Sequence, residues 1–290
     1  MGNLEASELI VNPDKSIYHL HLLPEQIAED IIVVGDPQRV EVISNYFDKI
    51  EFKVSNREFV THTGYLNGHR ISALATGIGT DNIDIVMNEL DALVNIDLAN
   101  RKIYENKRSL NIIRLVTSGA LQENIPVDSF VFSEYGLGLD GLLNFYAESD
   151  KVIDKAFTKA FIKEMQWDAN LAKPYVVKCS KNLEDKIGAG LLKGITATAS
   201  GFYGPQGRSL RLGLAINQLN EKLSKFNYQN KQITNFEMET SAIYGLGAML
   251  GHNTATVCAI VANRYTKTFS SDYKATVVRL IELILERICD

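Results

Sequence analysis

The chain has 290 residues, with 30 Lys and Arg against 35 Asp and Glu and a net charge of -5. Hydrophobic residues make up 46% and charged residues 22%, which excludes a disordered or fibrous protein. The mild acidity argues against a nucleic-acid coat or a membrane-surface protein, so neither nucleic acid nor membrane is expected as a partner, while a small anion held by a few local arginines fits.

Residues 1–10 lack the basic start and apolar run of a signal peptide. Met1-Gly2 suggests acylation, but Ala6 stands where Ser or Thr is needed. An apolar strand at 31–34 ends at Gly35, and another at 71–75 ends near Gly77. Residues 82–94 put Ile85, Val86, Leu90 and Leu93 near one helical face. The polar stretch 95–111, with Arg101-Lys102 and Lys107-Arg108, reads as an exposed excursion before a strand at 112–116. Further strands are expected at 130–133, 195–199 and 255–261. A last helix has N-cap chemistry in Ser270, Ser271 and Asp272 and an apolar stripe of Val277, Leu280, Ile281, Ile284, Leu285 and Ile288. The alternation predicts an α/β fold with a mixed sheet and, without a flexible linker or internal repeat, one domain over 1–290. No apolar stretch approaches the ~20 residues of a membrane span. Cys179, Cys258 and Cys289 have neither metal-ligand nor disulfide-framework spacing, so free thiols and a cytoplasmic location are expected.

Four segments carry candidate chemistry. Gly35, Asp36, Pro37, Gln38 and Arg39 follow a strand directly; free amides at a helix start plus an arginine make an anion site, or else a plain turn with a solvated arginine. Arg114 sits inside an apolar strand that leads to Thr117 and Ser118, where a buried cation needs an anion or a carboxylate. Phe202, Gln206 and Arg208 offer an aromatic face, an amide and a guanidinium suited to a planar ring, or form a simple loop. Glu237, Met238 and Glu239 put two carboxylates two residues apart, either in a shared pocket for sugar hydroxyls or in an ordinary acidic first turn. Gly136, Gly138 and Gly141 match a dinucleotide fingerprint, but no clear helix opens at the third glycine, so a nicotinamide site is rejected. The five histidines show no metal-ligand spacing.

In this order these segments, with Tyr18-His19-Leu20, Ser55-Asn56-Arg57-Glu58-Phe59, Thr76-Gly77-Ile78-Gly79 and Ile260-Val261-Ala262-Asn263-Arg264, make the chain resemble the nucleoside phosphorylase family, most closely its uridine phosphorylase branch. The resemblance implies an α/β fold around a mixed, partly barrel-like sheet flanked by helices. It implies reversible cleavage of a nucleoside by phosphate to free base and ribose 1-phosphate. Gly35, Arg39, Arg114 and Thr117 would bind phosphate, with Arg57 donated by a neighbouring subunit of a homodimer or larger homo-oligomer. Glu237, Met238 and Glu239 would hold the ribose, with the neighbour's His19 at the 5'-hydroxyl. Gln206 and Arg208 would read the pyrimidine edge, and Phe202 would pack on the ring. Catalysis would rest on Arg114, Arg208, Gln206 and Glu239. No metal or organic cofactor is implied, since phosphate is itself the anionic nucleophile. Arg264 stands where purine-cleaving relatives carry an Asp, which points to uracil. The chain departs from the family at Asp81-Asn82, in place of Pro-Ser, which bears on a monovalent cation site with Glu58; it departs also at Gly204-Pro205, in reversed order. The alternatives are a phosphorylase of broader or purine range, a nucleosidase using water, and a nucleoside-binding protein without turnover.

Overall fold

A computed structural model describes residues 4–290. Met1, Gly2 and Asn3 lie outside the described residues, and with them the Met1-Gly2 pair. Strand β1 (Asp30–Val34) leads into helix α1 (Pro37–Ser44). An antiparallel run of β2 (Lys49–Asn56), β3 (Phe59–Leu66) and β4 (His69–Ala75) follows. Helix α2 (Thr80–Asn95) connects through a small pair, β5 (Ile96–Asp97) and β6 (Lys102–Ile103), to β7 (Asn111–Ala120). Then come β8 (Phe130–Gly138), α3 (Lys155–Met165), β9 (Tyr175–Lys178), α4 (Lys181–Ile187), β10 (Leu192–Thr198) and α5 (Leu219–Lys225). The chain ends with β11 (Asn227–Tyr228), β12 (Lys231–Glu237), α6 (Thr240–Leu250), β13 (Asn253–Asn263), β14 (Thr268–Phe269) and α7 (Tyr273–Cys289).

The main sheet runs β11-β12-β10-β8-β13-β7-β1-β4-β3-β2, and β12 also pairs with β7. Strands β12, β10, β8, β13 and β7 therefore form a closed ring, from which β1, β4, β3 and β2 extend at β7 as an open wing, while β11, β9 and β14 pair with β12, β8 and β13. Pairing is mixed: β1 is parallel to β4 and β7, and β7 to β13, while β13 and β8 are antiparallel. This is the partly barrel-like α/β architecture implied above. The central strands read as unbroken apolar runs because helices cover both faces; Ile31, Ile32, Val33 and Val34 are all buried. The expected stripe of α7 is buried from Val277 to Ile288, and Asp272 caps the helix by accepting from the Ala275 amide.

Several boundaries change. Strand β8 runs on to Gly138 instead of stopping at Ser133, so two of the fingerprint-like glycines are strand residues. Gly136 lies where a Cβ would stand 2.8 Å from Ser241 Cα, and Gly138 faces the Tyr175 ring; both permit close packing, not phosphate binding. The stretch 95–111 is not simply an exposed excursion. Leu98 and Leu110 are buried, and the buried Asn95 side chain donates to Asp91 and to the Arg108 carbonyl. Among the described residues no helix is long and apolar enough to cross a membrane.

Candidate active site

The fold assembles a cavity of about 540 Å³ at the carboxyl ends of β1, β7, β12 and β13, the edge where such sheets place ligands. Its lining includes Gly35, Arg39, Arg114, Thr117, Phe202, Gln206, Arg208, Glu237, Met238 and Glu239. Ten of the twelve residues expected at the site thus line one cavity, although they come from as far apart as Gly35 and Glu239.

At the β1 end, Asp36 accepts from the Gln38 amide and Pro37 opens α1, which fixes the turn that carries Arg39. Gly35 allows the Gly77 carbonyl to approach; a Cβ there would be 3.3 Å from that oxygen. Burial lowers the Arg39 pKa; Asp36 opposes this shift and Arg114 adds to it.

Arg114 is the centre of the wall. It is 1% exposed. Its Nη2 donates to the Glu239 carboxylate, and its Nε lies 3.7 Å from Glu237 Oε2. Arg114 Nε and Nη1 make no hydrogen bond to any described residue. Buried guanidinium donors left open in a cavity wall are costly unless an anion meets them.

The two carboxylates differ because β12 ends between them. Glu237 closes the strand and Glu239 is the N-cap of α6. Glu237 is saturated: it accepts from the Thr198 hydroxyl at 2.6 Å and from the amides of Glu239 and Thr240. Its pKa is raised to about 7, first by burial and then by Glu239, with Arg114 opposing. Glu239 accepts from the Gly79 amide at 2.7 Å as well as from Arg114. Gly79 can bring that amide in because it adopts a φ of 99°. Sequence reasoning misses Thr198 and Gly79 as site residues, though Thr198 sits at a strand end and Gly79 in the Thr76-Gly77-Ile78-Gly79 turn. Ser118 points elsewhere: its hydroxyl donates to the Phe236 carbonyl and accepts from Asn235, stitching β7 to β12.

The other end of the cavity is cationic. Arg208 lies over the Phe202 ring at 3.7 Å and donates to Gln206 Oε1 at 2.7 Å. Arg264 donates to the same oxygen at 2.8 Å and to the Gln206 carbonyl. Both lone pairs of that amide oxygen are therefore used, which leaves the Gln206 NH2 as the donor for a ligand. Burial lowers the Arg264 pKa to about 10, with Arg208 adding to the shift. Neither guanidinium has a carboxylate partner among the described residues.

His19 and Arg57 do not line this cavity. They sit together at another place: Asn56 donates to the His19 carbonyl at 2.8 Å, and the Arg57 guanidinium lies 5.7 Å from the Tyr18 ring centroid. Among the described residues no cluster of three or more His, Cys, Asp or Glu forms a metal site.

Residues 29–287 match the model of the Phosphorylase superfamily, and the chain belongs to that family. A uridine phosphorylase of Thermococcus kodakarensis is 29% identical over 254 residues, covering 87% of this chain and 79% of the relative. A DeoD-type purine nucleoside phosphorylase of Brevibacillus brevis is 28% identical and covers 92% and 97%. A solved Trypanosoma brucei nucleoside phosphorylase, described as showing uridine phosphorylase activity, superposes with a TM-score of 0.84 at 30% identity, covering 96% of this chain and 98% of that one.

Proposed function

We propose that this protein is a uridine phosphorylase, converting uridine and phosphate to uracil and ribose 1-phosphate, reversibly. The observation that carries the reading is Arg114: a buried cation in the cavity wall, held between Glu237 and Glu239, whose Nε and Nη1 have no hydrogen-bond partner among the described residues. Phosphate would meet the Arg114 guanidinium together with Arg39, Thr117 and the turn at Gly35, and lie beneath the ribose. Glu239, held by Arg114 and Gly79, would accept the vicinal hydroxyls of the sugar, next to Met238 and the saturated Glu237. Such positioning supplies much of the rate when the nucleophile is already an anion.

Cleavage leaves negative charge on the departing base. The Gln206 amide and the Arg208 guanidinium are preorganised donors for its carbonyl oxygens, and Phe202 offers a face to the ring. Arg264 stays protonated and gives the base end a second cation, and neither it nor Arg208 is paired with a carboxylic acid among the described residues. This favours uracil over the purine reading that the Brevibacillus relative raises. The site would be completed by Arg57 and His19 from a second subunit, for which their absence from the cavity of their own chain leaves room. No cofactor takes part in this scheme.

The test is incubation with uridine, thymidine and inosine, with and without phosphate, and separation of the products. Phosphate-dependent release of uracil from uridine is the expected result. Equal release without phosphate makes the protein a hydrolase, and preferred cleavage of inosine makes it a purine enzyme.

A further inference from the structure

Glu89 on α2 makes four hydrogen-bonding contacts with one short segment. Its carboxylate accepts from the His19 amide at 3.0 Å through both oxygens and from the Leu20 amide at 2.8 Å, and its Oε1 lies 2.7 Å from His19 Nδ1. Nothing in the proposed scheme uses Glu89, and 70 residues separate it from His19. A carboxylate can only accept, so the ring nitrogen facing it carries a proton. In a neutral imidazole the other nitrogen, Nε2, is then an acceptor. The His19 side chain is 26% exposed, and Nε2 has no hydrogen-bond partner among the described residues. The ring is also held edge-on by Tyr18 and Phe59, at 4.6 and 6.5 Å between centroids, so neither its position nor its tautomer is free. The Arg57 guanidinium lies 5.7 Å from the centroid of the Tyr18 ring.

We infer that Glu89 is a positioning residue for the substrate's 5'-hydroxyl: by clamping the His19 backbone and accepting from Nδ1–H, it presents Nε2 as the acceptor for that hydroxyl in the neighbouring subunit. The inference rests on the reading of His19 given above and adds the group that sets its polarity. It makes the 5'-position a specificity element. A 5'-hydroxyl donates to Nε2, whereas a 5'-deoxy sugar leaves Nε2 facing a methyl group.

The experiment compares kcat/KM for uridine and 5'-deoxyuridine in the native chain, His19→Ala and Glu89→Gln. A glutamine keeps the size of the side chain but has one acceptor oxygen for three donors. The native chain is expected to prefer uridine, His19→Ala to lose that preference, and Glu89→Gln to lower it about tenfold through uridine alone. If His19→Ala keeps the full preference, the reading of His19 fails and this inference with it. If His19→Ala loses the preference but Glu89→Gln keeps it, Glu89 alone is excluded. A direct measurement does not depend on folding of a variant: 15N spectra of the histidine rings in the native chain at mildly alkaline pH. A His19 protonated at Nδ1 and bare at Nε2 is expected, and a proton on Nε2 overturns the inference.

Discussion

Arg114 is one cation between two buried carboxylates, so the cluster cannot be neutral with both ionised. The protein resolves this through Glu237, whose pKa rises from its ordinary 4.5 to about 7 because burial and Glu239 disfavour its charge. Between those values the folded chain binds a proton that the unfolded chain has released. Stability therefore falls as pH rises through that window, and the contribution is fully present only below it. Glu237→Gln removes this titration. The Tm of the native chain should lose ground to that of the variant on going from about pH 5 to about pH 8. Thermal unfolding of both proteins across that range checks this, and parallel curves would assign the slope to other groups. The sequence made the pair of glutamates visible but not their division of labour. That division follows from the break between β12 and α6, which turns one carboxylate into backbone amides and leaves the other for a ligand. Glu89 was invisible for a different reason: its meaning comes from a loop that lies far away in the chain.

Strands whose two faces are both buried were legible as apolar runs, which is why β1, β4 and β13 stand close to where the residues suggest. Strand β12 was not, because Thr234 and Asn235 interrupt it. Their polarity is absorbed inside: Asn235 donates to Ser118 and accepts from Thr196 and Thr234. Hairpin β2–β3 was missed because β2 is half-exposed and carries no unbroken apolar stretch. Where β8 meets the first turn of α6, no side chain fits at all. Gly136→Ala would put a methyl group 2.8 Å from Ser241 Cα and 3.0 Å from its nitrogen, and backbone must move to admit it. We expect a loss of about 1–3 kcal/mol, the usual cost of overpacking. Activity should fall as well, because the displaced turn begins at Glu239. Urea unfolding and kcat/KM measure the two effects, and a variant unchanged in both would show that the contact is soft.

The proposed division of one site between two chains has a sharp consequence. Arg57→Ala and Arg114→Ala should each be inactive alone. After dissociation and reassociation, a mixed dimer carries both lesions in one site and neither in the other, so about half the activity per mixed dimer should return. Confirmed exchange with no recovery would put Arg57 to work within its own subunit. Within the chain, the ring of β12, β10, β8, β13 and β7 leaves its member strands flanked on both sides, and the join is short, with Asn235 opposite Ala120 and Phe236 opposite Gly119. A ring cannot fray from an edge. Its amide protons at Phe236 and Gly119 should therefore trade with deuterium only when the whole ring comes apart, while those of β2, at the outer margin of the wing, should trade early and independently. Breathing of the molecule would then be confined to the wing, and the floor beneath the phosphate and the sugar would keep its shape through every turnover.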